Sequence, residues 1–530
     1  MHKIIYLKIK VTSILLLALI YSSSSAQPAL LDITFDGDGI VTTPIGSAFE
    51  GAYSILTQPD GKIILAGYSN SSTGANFNYD FAIVRYNTDG SLDTSFSQDG
   101  KSTVDFGSIS DFGYSAALQA DGKIIVIGKI FINVNTNIGF AVTRVNADGT
   151  LDLSFSGDGK YTFDFNNGDD QPGKVALQSD GKIVIGGSAL NLSSLNDEMA
   201  MIRLDSSGTL DGSFGVGGKV LTSIGSGRDR ALDMVVLPND EILLCGRSDN
   251  GTDLDFAIAK YDRNGNLSSN FGSGGKISTD ISGEDDYGNS IAVQTDGKII
   301  MAGYTGDVLA GTKFAMIRYD SLGQIDVGFG LNGKVVTDFV SHDQNYGICI
   351  QADHKILLAG RVYNGSDNDF GIARYDEFGN LDNSFDLDGK LVVPISNDHD
   401  EAYAITVQQD GKILVAGRAE MNTTDDFALI RILGSGTTET SESMAGYSVK
   451  AFPIPMTNQI IVNYSLAESH VEYLFITDMH GKVLMSSRTR DLLSIGEFQN
   501  VIDVSMFSEG TYLLHLRTNE KVFVKKLIKM

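Results

Sequence analysis

The chain of 530 residues contains no tryptophan and only two cysteines, eight prolines and seven histidines. Cys245 and Cys349 each lie in an apolar strand-like run, which is typical of buried free thiols rather than a disulfide. No spacing around the two cysteines suits a metal. The sequence also has no GxSxG, HExxH, CxxC or phosphate-loop motif. We therefore assign no catalytic residue and no metal ligand from these residue types.

Basic residues are scarce relative to acidic ones: the chain has 40 lysines and arginines and 66 aspartates and glutamates. The formal net charge is −26, and residues 27–443 alone carry −30. Such an acidic chain argues against binding to nucleic acid or to an anionic membrane surface, since both are polyanions. The charge permits cationic partners or divalent ions.

Long apolar runs are missing after the N-terminus. There, three lysines within the first ten residues precede the short apolar run Val11–Ile20, and small residues follow up to Ala26. This pattern predicts a signal peptide over residues 1–26 that is cleaved before Gln27. The run is too short to span a bilayer comfortably, so we expect no stable transmembrane anchor.

Repetition is the dominant feature of the chain, and many of its 59 glycines lie within the repeats. In the first copy, LDITF is followed by QPDGKIILAG from Gln58 and by FAIVRY from Phe81. All three segments recur in the same order at steps of 56 to 61 residues. The seven copies begin near Leu31, Leu92, Leu151, Leu210, Leu267, Ile325 and Leu381.

Each repeat predicts four short strands, labelled a to d. In the first copy these are Ile40–Pro44 (a), Tyr53–Gln58 (b), Lys62–Tyr68 (c) and Phe81–Tyr86 (d). Strand c is apolar on both faces, so both faces need covering, and one repeat is too small to form its own core. The copies should therefore stack radially into an all-β, seven-bladed β-propeller over residues 27–436. The pattern leaves open which strand is innermost and how the ring closes.

The recurring LDxSFGxxG, DGKIxxxG and DFAxxRY pattern of residues 31–436 resembles the delta-60 repeat, a bacterial repeat family. The resemblance implies a β-propeller fold and assigns no biochemical function. WD and kelch repeats differ, because this chain has no tryptophan and no paired-glycine blade signature.

Two positions are invariant in all seven copies: the phenylalanine of LDxSF and the glycine four residues later. We interpret the phenylalanine as an apolar plug between blades and the glycine as a turn residue with positive φ. Both roles are structural.

An acid precedes strand b and a base ends strand d in every copy. The acids are Glu50, Asp111, Asp170, Asp229, Asp286, Asp343 and Asp400. The bases are Arg85, Arg144, Arg203, Lys260, Arg318, Arg374 and Arg431. Because a charge entering an apolar layer needs a partner, we predict a repeated structural ion pair between the two sets. A ring of seven carboxylates binding a cation in the axial channel is the alternative.

Loops between strands a and b and between c and d vary among the copies, whereas the b–c and d–a turns are nearly uniform. Variable loops are the usual place for a binding site. We therefore name Asp170, Asp286, Asp398 and Asp400 as ligand-binding candidates on this face. The d–a turns, such as Asn87–Asp93, partly match a calcium loop, but the full ligand set is missing and we prefer an Asx-type turn, with calcium as the alternative. No cofactor is expected other than this calcium.

A Gly/Ser/Thr-rich linker at residues 437–444 precedes a different pattern at residues 445–530, where alternating strands predict a small β-sandwich. Its FPIP start, DMHGKV turn, GTYLLHL run and basic VKKLIKM close resemble the C-terminal sorting domain of the type IX secretion system of Bacteroidetes-type bacteria. The family usually has asparagine where this chain has Ile454. The resemblance implies contact with the outer-membrane secretion machinery, followed by release or surface attachment.

The sequence thus predicts a secreted or surface-displayed propeller that acts as a binding scaffold for a glycan or a protein. A secreted hydrolase or lyase acting on polysaccharides, and a purely structural surface protein, remain alternatives. An acidic pocket with two carboxylates at glycosidase spacing would favour the enzyme, whereas exposed aromatic side chains would favour binding.

Overall fold

The computed structural model describes residues 31–72, 77–108, 110–133, 137–165, 168–307, 310–386, 388–421, 424–434, 448–452, 459–466, 471–478, 483–487, 496–508, 510–518 and 522–529. The chain divides into two compact units, Met1–Gly436 and Thr437–Met530. The predicted signal peptide and linker lie outside the described residues. Within the described part, no helix is long and apolar enough to cross a membrane.

The described residues of the first unit form seven antiparallel sheets of four strands each. Strands b are Gly51–Thr57, Asp111–Leu118, Asp170–Leu177, Asp229–Val236, Asp286–Val293, Gln344–Ile350 and Asp400–Val407. Strands c are Ile63–Asn70, Ile124–Asn133, Ile183–Asn191, Ile242–Asp249, Ile299–Thr305, Ile356–Tyr363 and Ile413–Met421. Strands d are Tyr79–Tyr86, Asn137–Val145, Asn196–Leu204, Leu254–Tyr261, Lys313–Tyr319, Asn368–Tyr375 and Thr424–Ile432. Strands a are Ile40–Thr43, Lys101–Val104, Lys160–Phe163, Lys219–Thr222, Lys276–Thr279, Lys334–Thr337 and Lys390–Val393.

Sequence repeat and blade are out of phase by one strand. Each sheet runs b, c, d and then strand a of the following repeat, with strand b innermost. Strand a of the first repeat therefore has no earlier repeat to join, and it pairs with the last blade, Ile40 opposite Ile430. This pairing closes the ring between the two ends of the repeat region.

The apolar core lies between blades rather than within them. Phe81 and Ile83 of the first blade pack with Ala116 and Ile124 of the second, and six further buried clusters each join another pair of neighbouring blades. The prediction that one repeat cannot bury its own strands, so that copies stack into a seven-bladed β-propeller, is confirmed.

Both interpretations of the invariant positions are also confirmed. Phe35 and its six equivalents are fully buried in the clusters between blades. Gly39 and its six equivalents have φ between 84° and 93°, a region that disfavours residues with a Cβ. Cys245 and Cys349 are free thiols, the first buried and the second half-buried, so no disulfide joins them.

The second unit is a small sandwich of two sheets. One sheet contains Ser448–Phe452, Gln459–Leu466 and Gly496–Asp503. The other contains Val483–Ser487, Val471–Asp478, Gly510–Thr518 and Val522–Lys529, in that spatial order. Their shared core includes Ile460, Ile502, Leu474 and Leu514. Residues 453–458 and 479–482, which carry the FPIP start and most of the DMHGKV turn, lie outside the described residues.

Candidate binding site

Every inner strand carries a β-bulge at the same place. In the first blade Ala52 pairs with Gly67 and Ser54 with Ala66, so Tyr53 is the extra residue. Such a bulge turns a side chain away from the regular alternation and often lies beside a functional site. The seven extra residues are Tyr53, Tyr114, Gly173, Leu232, Asn289, Tyr346 and Tyr403. All seven line a cavity of about 540 Å³ on the propeller axis.

Tyrosines from four consecutive blades form one side of this axial pocket. The rings of Tyr53 and Tyr403 stack with centroids 4.3 Å apart and planes 8° apart. Tyr346 meets Tyr403 edge-on at 5.5 Å, and Tyr114 meets Tyr53 edge-on at 5.6 Å. The first, second, sixth and seventh blades therefore present a continuous aromatic wall.

The third, fourth and fifth blades present polar and basic side chains instead. Lys174 lies 3.2 Å from Asp233, and Arg230 lies 3.0 Å from Asp197. Arg247 stacks over the ring of Tyr287 at 4.9 Å and has no carboxylate within ion-pair distance in the described part of the chain. The pocket thus has one aromatic side and one basic side, an asymmetry that a sevenfold scaffold does not itself require.

Glu401 is a buried carboxylate at the aromatic side of the pocket. Arg361 and Arg418 both form ion pairs with it, and the Tyr403 hydroxyl donates a hydrogen bond to it. Burial opposes ionisation of Glu401, but the two guanidinium charges outweigh burial and lower the pKa of this carboxyl. Burial also raises the pKa of Tyr403 well above its ordinary value. At neutral pH, Glu401 is an anion and Tyr403 is a neutral phenol.

The prediction that the bases of strand d pair with the acids before strand b is wrong, because the bases pair with a different acid. Arg85 donates from Nε to Oδ2 of Asp93, the aspartate of LDxSF, at 2.7 Å, and its guanidinium lies over Phe96. Five other blades repeat this pair, and in the remaining blade Lys260 pairs with Glu241. The bases in question are Arg85, Arg144, Arg203, Lys260, Arg318, Arg374 and Arg431. The acids before strand b lie at the other end of the blade, which is why the two sets do not meet.

Among the described residues, the partners of those acids are main-chain amides and, for Asp111, Asp286 and Asp400, also a side-chain hydroxyl, rather than bases. Glu50 accepts hydrogen bonds from the amides of Ile45 and Gly46, and the other six accept from the corresponding a–b loops. The full set is Glu50, Asp111, Asp170, Asp229, Asp286, Asp343 and Asp400. Burial raises the pKa of Glu50 and of Asp170 to about 7. Each acid therefore anchors a loop from within the fold.

The ligand-binding candidates named from sequence do not line the axial pocket. Asp170, Asp286 and Asp400 are fully buried beneath the a–b loops, and only Asp398 is exposed. Their role in ligand binding stays a prediction. In the d–a turns, Asp89 accepts hydrogen bonds from the amide and hydroxyl of Ser91, as in an Asx turn, and calcium there also stays a prediction.

Sequence reasoning missed the bulge residues because they break the strand alternation on which the strand assignment rests. A signal is nevertheless present, since the third residue after each buried acid is tyrosine in four of the seven copies. The other three copies have glycine, leucine or asparagine at that position. Variation inside an otherwise uniform strand could have indicated the pocket.

Family comparison matches six stretches of the propeller to a family described as domain of unknown function (DUF5122) beta-propeller. They are residues 58–96, 119–155, 178–214, 294–329, 351–385 and 408–441. Residues 450–530 match the secretion system C-terminal sorting domain, which indicates a secreted or surface-attached protein that contacts a secretion machinery. No curated protein matches the chain.

Several solved propellers are similar to the chain at low identity. A catalytically inactive virginiamycin B lyase from Staphylococcus aureus with quinupristin has 13% identity and a TM-score of 0.42, over 74% of this chain and 98% of that one. The polysaccharide lyase PL25 ulvan lyase has 11% identity and a TM-score of 0.42, over 73% and 95%. The propeller domain of the trilobed protease from Pyrococcus furiosus has 11% identity and a TM-score of 0.37, over 73% and 95%. The chain is a β-propeller protein built from repeats of the DUF5122 family, which are followed by a secretion system C-terminal sorting domain.

Proposed function

We propose that this secreted or surface-attached propeller is a non-catalytic receptor for an anionic glycan, which it holds in the axial pocket. The observation that carries the proposal is Arg247, a guanidinium at the pocket wall that stacks on Tyr287 and has no carboxylate partner in the described part of the chain. A carboxylate or sulfate group on a sugar would supply that partner through a charge-assisted, bidentate hydrogen bond.

The aromatic wall supports a sugar over other anions. A saccharide has an apolar C–H face, and tyrosine rings supply flat apolar area together with a polar hydroxyl. Tyr53, Tyr114, Tyr346 and Tyr403 lie on the side opposite the basic residues. A uronic acid or sulfated sugar carries an apolar face and a negative group in one molecule. The cavity volume of about 540 Å³ lies within the usual range for small-ligand pockets, about 300–1,000 Å³.

The charge distribution also favours an acidic ligand. Residues 27–443 are strongly acidic, yet the side chains lining the pocket include three bases, Lys174, Arg230 and Arg247. The two lining acids, Asp233 and Glu401, are each held by a base. A basic pocket within an acidic body selects anions at the pocket and repels them elsewhere.

The protonation states of Glu401, Tyr346 and Tyr403 favour binding over hydrolysis or elimination. A glycosidase needs one protonated carboxyl as its acid, whereas the two arginines keep Glu401 ionised. A tyrosine acting as the base in an elimination needs a lowered pKa, whereas burial raises the pKa of Tyr346 and Tyr403. These residues are therefore suited to holding a sugar.

The test is a binding screen of residues 27–530 against acidic and neutral oligosaccharides, followed by calorimetry on the best ligand. Arg247→Gln should weaken binding of an acidic sugar by roughly 10- to 100-fold, since a hydrogen bond to a charged group contributes about 1.5–3 kcal/mol. Arg263→Gln is the matched control, because Arg263 is exposed on a d–a turn and does not line the pocket. Equal binding of neutral sugars, or equal binding by Arg247→Gln, would contradict the proposal.

A further inference from the structure

Three carboxylates meet at each of two junctions between blades, outside the axial pocket. Asp80, Asp105 and Asp111 form the first cluster, and each offers an oxygen within 4.8 Å of the others. Asp255, Asp280 and Asp286 form the second with the same spacing. Within each cluster two aspartates are buried and one is exposed, so the clusters reach the surface.

The two clusters occupy equivalent places in the fold. Asp80 and Asp255 precede the phenylalanine that pairs with the last residue of strand a. Asp105 and Asp280 follow strand a, and six residues later Asp111 and Asp286 open the inner strand of the next blade. Each cluster therefore joins the two outer strands of one blade to the inner strand of its neighbour.

One buried oxygen in each cluster has no hydrogen-bond donor. Asp80 and Asp255 are 5% and 7% exposed, and the Oδ1 atom of each is buried without a partner in the described part of the chain. An unpaired carboxylate oxygen away from water is costly unless a cation or a donor satisfies it. Lys160 and Lys334 come close, but their donated hydrogen bonds go to the main-chain oxygens of Asp105 and Asp280.

Mutual repulsion reinforces this cost. Three carboxylates whose oxygens lie within 4.8 Å of one another repel each other when they are ionised. Lys160 and Lys334 lie nearby, but among the described residues neither forms an ion pair with a carboxylate of the clusters.

At a third junction the chain itself supplies a positive charge at the equivalent place. There Lys313 stands where the other junctions have Asp80 and Asp255, directly before Phe314. Its Nζ lies 2.8 Å from Oδ2 of Asp338, which follows strand a, and Asp343 directly precedes the next inner strand. Where the first acid is replaced by lysine, a positive charge therefore pairs with the second.

We propose that each of the two three-aspartate junctions binds one hard divalent cation of the calcium class, which ties adjacent blades together. Carboxylate oxygens are the ligands that such ions prefer, and flexible coordination at an open site suits Ca²⁺ better than Mg²⁺. The two ions lie three blades apart and form no part of the axial pocket, so the proposal is independent of glycan binding.

The test is calcium titration of chelator-treated residues 27–530 by calorimetry at physiological salt. Asp105→Asn and Asp280→Asn should each remove one bound ion relative to the unsubstituted chain, and the double variant should remove two. Both side chains are exposed, so the variants should fold, and equal melting temperatures in EDTA would verify this. Calcium should raise the melting temperature of the unsubstituted chain more than that of the double variant.

Two further variants sharpen the result. Asp338→Asn removes the equivalent exposed acid beside Lys313 and should leave the number of bound ions unchanged. Lys313→Asp recreates the three-aspartate junction and should add one ion. An unchanged number of ions in the Asp105→Asn/Asp280→Asn double variant, or equal loss in Asp338→Asn, would overturn the proposal.

Discussion

Arg431 at the end of the last blade donates from Nε to Oδ2 of Asp32, at the start of the repeat region, over 2.8 Å. The pair joins the two ends of the ring, and both side chains are buried. Asp32 also lies 3.2 Å from Lys412. Ring closure therefore depends on this ion pair as well as on the strand pairing of Ile40–Thr43.

Asp32→Asn should lower the free energy of unfolding of the propeller by about 3 kcal/mol, because it leaves the Arg431 charge buried without its counter-charge. Asp410→Asn is the matched control, since Asp410 faces the same Lys412 from an exposed turn, and it should change stability by less than about 0.5 kcal/mol. Urea unfolding of both variants measures the difference. Equal midpoints for the two variants would show that closure does not depend on the pair.

Gly67 shows why the fifth residue of strand c is glycine in every repeat. A Cβ at Gly67 would lie 1.8 Å from the main-chain oxygen of Gly51 on the inner strand. Gly67→Ala should therefore destabilise the propeller by about 3 kcal/mol or more, because backbone rather than a flexible side chain must move. Gly212→Ala is the control, since a Cβ there has no neighbour within 4 Å and stability should hold. Thermal unfolding that fails to separate the two variants would contradict this account.

The ion pairs show which contacts the sequence could predict and which it could not. The repeats identify the seven bases, but invariance alone does not show which invariant acid each base contacts. Covariation among the copies does indicate the partner. Lys260 is the only lysine among the seven bases, and the same copy has Ser268 in place of the LDxSF aspartate and Glu241 in place of the DGK lysine. In the structure Lys260 pairs with Glu241, whereas Arg85 and Lys62 both pair with Asp93.

The blades were predictable because they follow from apolar runs and turn residues, which are local features. The pocket was not, since it depends on a bulge that turns Tyr53 and Tyr403 toward an axis shared by seven repeats. Which strand lies innermost was likewise set by contacts between repeats rather than by any one repeat. Asp170, Asp286 and Asp400 look like loop ligands in the sequence, and only the folded loops show that these acids are buried.

The buried acids give the propeller an unusual dependence on pH. In the folded chain the pKa of Glu50 and of Asp170 is about 7, above the ordinary values of 4.5 and 3.8. The folded state therefore binds these protons more tightly, so stability from these groups is present below about pH 4 and is lost as pH rises to about 7. The urea concentration at the midpoint of unfolding, measured in EDTA, should therefore fall between pH 4.5 and pH 8 as Glu50 and Asp170 ionise.

Glu50→Gln and Asp170→Asn should flatten that fall, because neither side chain ionises. Asp296→Asn, in an exposed b–c turn, is the control and should leave the slope unchanged. A slope as steep in the Glu50→Gln/Asp170→Asn double variant as in the unsubstituted chain would mean that other groups carry the pH dependence.

The match to a sorting domain predicts in which compartment of the cell a truncated chain will remain. Deletion of residues 437–530 removes the whole second unit, so the propeller should pass the inner membrane by the predicted N-terminal signal peptide and then stay in the periplasm. Cell fractionation and immunoblotting in a host with the cognate secretion system measure this. As a control, residues 437–530 fused to an unrelated periplasmic reporter should carry that reporter out of the cell, and retention of the fusion would contradict the assignment of the signal to this unit.

Two substitutions of Tyr53, which stacks on Tyr403, distinguish the contribution of the aromatic ring to the proposed glycan binding from that of the hydroxyl group. Tyr53→Phe keeps the ring stacked at the pocket wall and should bind an acidic oligosaccharide within about threefold of the unsubstituted chain. Tyr53→Ala removes the ring and should weaken binding by roughly five- to tenfold, about 1 kcal/mol or slightly more. Phe378→Ala, an exposed aromatic residue on a d–a turn, should have no effect. Calorimetry distinguishes these cases, and equal affinity for Tyr53→Ala and Tyr53→Phe would place the sugar away from the aromatic wall, because a stacked ligand must lose affinity with the ring.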